Sequence, residues 1–182
     1  MNEDIDKILF TKSELADAVQ RLGKEISADY EGKHLVMVSV LKGSVMIMAD
    51  LMRAITIPCE IDFMSVKSYS GAATKSTGNV QIVKDLGRDI RDCDILIVED
   101  ILDSGYTLNY IRKMIVAKGA ASVKICALFD KPDRRAPDVN VKADYVGAVV
   151  PDAFIVGYGL DFDEHYRNLP YVGVLKPEIY NK

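Results

Sequence analysis

Cysteine is scarce in this chain and poorly spaced for chemistry. Cys59, Cys93 and Cys126 are far apart, and no Cys-x-x-Cys pair occurs. Neither a zinc knuckle nor a disulfide framework is therefore expected. Each cysteine lies in or beside an apolar stretch, the setting of a small buried hydrophobe rather than a catalytic thiol. No run approaches eighteen apolar residues, so no membrane-spanning helix is expected. The opening MNEDIDKILF carries acids and no long apolar run. No signal peptide is expected from it, and the cytoplasm is the default compartment. A basic excess is missing too. Lys and Arg number 23 against 27 Asp and Glu, a net charge of −4, which argues against a dedicated nucleic-acid binder. No Gly-x-x-x-x-Gly-Lys-Ser/Thr segment exists, which excludes a P-loop nucleotidase. GYGLDF (Gly157 to Phe162) begins like a dinucleotide fingerprint, but Phe162 stands where the third glycine belongs. His34 and His165 are isolated, so no metalloprotease or catalytic-triad pattern forms, and His165 reads as a surface or loop residue.

What is present is enough for a substantial core. The chain has 182 residues, 49% of them hydrophobic, and no repeat or linker divides it. One domain over residues 1–182 is expected. TKSE (Thr11 to Glu14) is a capping box, and Leu15, Val19, Leu22 and Ile26 behind it share one helical face. LVMVSVL (Leu35 to Leu41) reads as a strand covered on both faces. The spacing of Val45, Ala49, Met52 and Ile55 predicts a second helix, stopped by Pro58. IDFMSV (Ile61 to Val66), ILIV (Ile95 to Val98), VKICALF (Val123 to Phe129) and YVGAVV (Tyr145 to Val150) read as further strands. Leu108, Ile111 and Ile115 mark a helix closed by Gly119. Alternating strands and helices predict an α/β fold with a parallel sheet flanked by helices.

In such sheets, ligands bind at the carboxyl ends of the strands. Glu99 and Asp100 follow one strand, Lys42 and Gly43 another, and Lys131 a third. After the acid pair comes Asp103-Ser104-Gly105-Tyr106-Thr107. Gly105 permits a tight turn, and a helix begins behind it. Hydroxyls and backbone N–H groups at a helix N-terminus form an anion cradle suited to phosphate. The carboxylates can accept hydrogen bonds from a vicinal diol or hold Mg²⁺ through oxygen. Phosphate donors beside diol acceptors describe a phosphoribosyl group. The plainer alternative makes Asp103 and Ser104 helix caps and leaves the acids solvated.

The segment ILIVEDILDSGYTL resembles the phosphoribosyl-diphosphate (PRPP) motif of the type I phosphoribosyltransferases. The resemblance narrows to the bacterial hypoxanthine (hypoxanthine-guanine) phosphoribosyltransferases. It extends through VSVLKGSVMIMADL, VKSYSGAATKSTGNVQIVKDL, LFDKPDRR and PDAFIVGYGLDFDEHYRNLPYVGVL, in the same order and spacing. It implies that Glu99 and Asp100 bind ribose hydroxyls and Mg²⁺, and that Asp103 to Thr107 hold the 5′-phosphate. Asp103 would also act as general base near the purine N7. Tyr106 stands at a variable position, where only its backbone N–H is expected to serve the phosphate. Lys42 and Gly43 match a pyrophosphate-binding loop with a cis Leu41–Lys42 peptide. Ser68 and Tyr69 match the closing edge of a mobile lid, whose physical purpose would be to keep water from activated PRPP. Phe154 would stack on the purine and the Ile155 backbone would meet its edge. Lys131 would donate to the 6-oxo group, disfavouring adenine. Asp161 matches a Mg²⁺ ligand and Arg167 a pyrophosphate-binding arginine. A small hood from the N- and C-terminal segments should carry the base pocket.

The resemblance therefore implies Mg²⁺-dependent conversion of PRPP and hypoxanthine or guanine to IMP or GMP and pyrophosphate. A homodimer or homotetramer, with neither membrane nor nucleic acid as partner, goes with it. Three other readings stand beside it. One is a related transferase for xanthine or a pyrimidine; another is a non-catalytic RNA-binding regulator on the same fold. The third, an Mg²⁺-binding receiver domain, leaves Asp103 to Thr107 and the lysine loop unexplained.

Overall fold

The computed structural model describes residues 1–68 and 80–181. After a 3-10 turn at Asn2–Asp4 the order is β1 (Ile5–Phe10), α1 (Lys12–Asp29), β2 (Leu35–Leu41), α2 (Val45–Ala54), β3 (Glu60–Ser68) and β4 (Val80–Lys84). There follow β5 (Asp94–Leu102), α3 (Tyr106–Ala117), β6 (Ser122–Asp130), β7 (Tyr145–Val149), β8 (Ile155–Val156), β9 (Val172–Leu175) and the short α4 (Pro177–Tyr180). The main sheet has the order β4-β3-β2-β5-β6-β7. It is parallel from β3 to β7, and β4 closes one edge as an antiparallel strand. This is the expected α/β architecture with one reversed edge.

Local chemistry explains most of these elements. The capping box at α1 forms as expected: Thr11 Oγ1 accepts from the Glu14 amide, and the Thr11 amide donates to Glu14 Oε2 at 2.8 Å. Leu15, Val19, Leu22 and Ile26 are buried on its inner face. Gly23 lets α1 and α2 touch, since a Cβ there would stand 2.6 Å from that of Ala54. Strand β2 alternates between two cores. Leu35 and Met37 pack with α1 and α2, whereas Val36, Val38 and Val40 pack with Leu108, Ile111 and Ile115 of α3. A strand covered on both faces has to be apolar throughout, as LVMVSVL is apart from Ser39.

The second helix forms where its spacing predicts, but another face is buried. Ile47, Met48, Leu51 and Ala54 point inward, while Val45, Ala49 and Met52 are exposed and Ile55 lies just past the end. VMIMADLMRA is apolar almost all round, so periodicity alone could not select the face. A three-stranded sheet, β1-β9-β8, joins the two ends of the chain, pairing Ile5 with Leu175 and Ile155 with Val174. It is built from the N- and C-terminal segments from which a hood is expected.

The functional consequence lies between β2 and β5. The chain leaves β2 toward β3 on one side and β5 toward β6 on the other, so the strand order reverses between them. That is the switch point at which open α/β sheets accept ligands. Pairing of β2 with β5 runs from Leu35↔Asp94 to Ser39↔Val98 and stops there. Beyond Val98, β5 continues with that flank free.

Candidate active site

Glu99 and Asp100 do not follow the strand, as the sequence suggests, but form part of it. Strand β5 runs on to Leu102, and β6 keeps it paired there, with Glu99 opposite Ala127 and Ile101 opposite Phe129. The acids are therefore held on a rigid strand at the point where β2 has left it. Glu99 is buried, and its Oε2 has no hydrogen-bond partner among the described residues. Burial pushes its carboxyl well above the ordinary range, and the neighbouring Asp100 adds to this. Burial also raises Asp100, to about 6, against the Ile101 amide that donates to Oδ1 at 2.8 Å. Two desolvated acids with an orphaned oxygen suit a hard cation that prefers oxygen ligands. No cluster of three or more His, Cys, Asp or Glu side chains is built to hold a metal among the described residues. A cation bound here would complete its shell from a ligand or water.

Behind the acids the chain turns into α3. Gly105 sits at the helix N-cap with φ +87°, and no side chain caps the helix. The cap role that would have explained Asp103 and Ser104 in plainer terms is thus not taken. The first-turn amides are left for an anion, and a cavity of about 180 Å³ opens over them, lined by Glu99, Asp103, Ser104, Gly105 and Thr107 among others. Asp103 itself is exposed. Tyr106 directs its hydroxyl away, donating to Asp138 at 2.7 Å, which leaves only its backbone for the cradle.

The loop after β2 faces this cradle. The Leu41–Lys42 peptide is cis. Lys42 Nζ lies 3.0 Å from Glu164 Oε2 on the 157–170 segment. Arg167 comes from the same segment and is mostly buried. Its Nη1 donates to the Gly159 carbonyl at 2.8 Å and lies 2.9 Å from Asp161 Oδ1, and its Nη2 is 3.5 Å from Glu164. Lys42, Asp161 and Arg167 therefore form one charged group. Ser44, which sequence reasoning passed over, lies beneath the loop. Its buried hydroxyl is 2.7 Å from Ser39 Oγ and donates to the Val40 carbonyl.

The residues expected to form a base pocket lie just beyond β6 and at the start of β8. Lys131 follows the last residue of β6, is 7% exposed, and donates from Nζ to the Ala153 carbonyl at 2.8 Å with Asp152 3.4 Å away. Phe154 is 37% exposed. Tyr180 stacks on it at 4.9 Å and Phe162 meets it edge-on at 5.5 Å. The Leu175 amide donates to the Phe154 carbonyl at 2.8 Å. This makes Ile155↔Val174 a non-hydrogen-bonded pair, so the N–H and C=O of Ile155 point from the free edge of β8. Ser68 ends β3, and Tyr69 with the rest of the expected lid falls outside the described residues.

An acid pair at a sheet switch point, followed by an uncapped turn and helix, can take a vicinal diol and an adjoining phosphate together. The chain belongs to the phosphoribosyl transferase domain family, which matches residues 7–163. Within it, the hypoxanthine-guanine phosphoribosyltransferase of Staphylococcus aureus (strain Mu50) is 49% identical over 181 residues, covering 100% of this chain and 99% of that protein. A crystal structure of a hypoxanthine phosphoribosyltransferase from Staphylococcus aureus superposes with a TM-score of 0.96 at 48% identity, covering 100% of this chain and 97% of that one. The bifunctional protein TilS/HprT of Listeria innocua is 50% identical over all 182 residues, but the chain spans only 28% of its length.

Proposed function

We propose that this protein transfers the 5-phosphoribosyl group of PRPP to N9 of hypoxanthine or guanine, releasing IMP or GMP and pyrophosphate. The observation that carries the proposal is the acid pair of buried Glu99 and partly buried Asp100 beside the uncapped turn Asp103 to Thr107. Acceptors for a vicinal diol there adjoin donors for its 5′-phosphate. Mg²⁺ would supply charge neutralisation for the pyrophosphate, with Glu99 and Asp100 on one side of the site and Asp161, reached partly through water, on the other.

The remaining assignments extend the same reading. Ser104, Gly105, Tyr106 and Thr107 bind the phosphate through amides and hydroxyls. Lys42, Gly43 and Arg167 receive the pyrophosphate, whose negative charge grows as the C1′–O bond breaks. The sugar becomes oxocarbenium-like as N9 bonds to C1′. Asp103 takes the proton that the purine loses, a contribution of about 10²–10⁴-fold for a positioned base. Phe154 stacks on the base, Ile155 meets its edge through the backbone, and Lys131 donates to the 6-oxo group. Ser68 and Tyr69 belong to the lid that excludes water. The expected setting is a cytoplasmic homodimer or homotetramer, which sedimentation would count; no helix among the described residues is long and apolar enough to cross a membrane.

The decisive test supplies the protein with PRPP and Mg²⁺ and offers hypoxanthine, guanine, xanthine and adenine separately, following nucleotide formation. Product with hypoxanthine or guanine is expected. No product with any of the four would falsify the proposal.

A further inference from the structure

A turn that presents its N–H groups to an anion must send its carbonyls to the rear. A rear carbonyl without a donor could rotate forward and set a lone pair against the anion. In the 103–107 turn both leading carbonyls are held. Arg135 Nη1 donates to the Asp103 carbonyl at 2.8 Å, and the Ala136 amide donates to the Ser104 carbonyl at 3.1 Å. The other guanidinium arm pairs with Asp130, the last residue of β6, and the two side chains are only 18% and 22% exposed. The turn also rests on this segment: a Cβ on Gly105 would stand 2.6 Å from Val141 Cγ1 and 3.4 Å from Arg135 Cδ.

We infer that Arg135 is a positioning residue of the phosphate turn, its guanidinium fixing the Asp103 carbonyl to the end of β6 and so aiming both the turn amides and the Asp103 carboxylate. This rests on the proposed phosphoribosyl site. A rigid fork can span the carbonyl and the carboxylate together, whereas a lysine offers a single point charge to one of them. The neighbouring Arg134 supplies an internal control. It pairs with Asp152, is 59% exposed, and has no contact of this kind with the turn.

The test compares Arg135→Met, Arg135→Lys and Arg134→Met with the unaltered protein, each shown to be folded by its melting curve. With saturating hypoxanthine, Arg135→Met should raise the KM for PRPP by roughly tenfold or more, the scale of a lost charge-assisted hydrogen bond. The KM for hypoxanthine should stay unchanged. Arg135→Lys should recover only part of the loss, and Arg134→Met should leave the KM for PRPP as in the unaltered protein. A purely structural role would lower kcat through a smaller active fraction and leave KM alone; that result, or a PRPP KM within about twofold in folded Arg135→Met, overturns the inference. Should Arg135→Met not fold, Asp130→Asn loosens the anchor and should raise the same KM by roughly threefold, and no rise overturns it. Calorimetric titration with ribose 5-phosphate reads the turn without turnover. An unaltered protein that binds ribose 5-phosphate but makes no nucleotide would lose the transferase reading, while weaker binding by Arg135→Met would still support the positioning role and equal binding would refute it.

Discussion

Gly43 lies directly against Asp100: a Cβ built on Gly43 would stand 1.8 Å from Asp100 Oδ2. Gly159 presses from the far side, since its own Cβ would fall 2.0 Å from the Gly43 carbonyl. The loop after β2 is thus clamped between the acid of β5 and the 157–170 segment, with no space for a side chain. Gly43 does not have a positive φ, so the constraint is contact rather than backbone strain. Gly43→Ala should displace the Asp100 carboxylate. The expected result is a fall in kcat/KM for PRPP of roughly tenfold or more, with about 1–3 kcal/mol of lost stability from overpacking. Kinetics with varied PRPP and Mg²⁺, together with a denaturant titration, measure both, and wild-type kinetics would contradict the contact.

Asp103→Asn should separate binding from chemistry. The side chain is exposed and does not cap α3, and the backbone beneath it is held by Arg135. The substitution should therefore change stability by less than about 0.5 kcal/mol. Ribose 5-phosphate should bind nearly as before, while turnover should drop by about 10²–10⁴-fold. Full turnover in this variant would remove Asp103 from the role of base.

The legible and hidden parts of this molecule divide on physical grounds. Strand β2 and the capping box at α1 were readable because doubly covered strands and reciprocal caps are local signals. The acid pair was readable because charge at the end of an apolar strand is costly without a purpose. Strand β1 was not readable: in IDKILF, Ile8 is 53% exposed, so the period-two pattern is broken. Its pairing with β9 joins residues far apart in sequence. The inner face of α2 was hidden by a helix apolar on every side. Arg135 was hidden for another reason. Nothing in PDRRAP distinguishes Arg134, which turns to Asp152, from Arg135, which reaches a backbone carbonyl; only the path of the chain separates them.

Lys131 should govern the choice of base. Its ammonium group has three protons, and the Ala153 carbonyl takes one. Asp152 lies close enough to orient the group. On the proposed role, a remaining proton offered to the base would favour a 6-oxo group and oppose a 6-amino group. Lys131→Gln replaces that donor with a side chain able to donate or accept. The KM for hypoxanthine and guanine should rise while the KM for PRPP stays constant. The kcat/KM ratio of adenine to hypoxanthine should climb by about tenfold or more, since selectivity here depends on leaving the wrong base unpaired. Unaltered base selectivity would place the specificity element elsewhere.

At the opposite end of the sheet, Glu60 sets a pH dependence separate from catalysis. Arg88 pairs with one of its oxygens and His34 Nε2 lies 2.7 Å from the other. The Arg88 bond first, then His34, lower the Glu60 carboxyl to about 2 from an ordinary 4.5. A carboxyl lowered by folding stabilises the fold while ionised. Its contribution is complete above pH 4.5 and lost as pH falls toward 2. The carboxylate is half exposed, so solvent screening keeps the effect small. Glu60→Gln should lower the melting temperature slightly near pH 7 and flatten its decline between pH 4.5 and 2, with nucleotide formation unchanged. Melting curves across that range decide the matter: parallel acid-side slopes in the two proteins would show that the pair with Arg88 does not couple to folding.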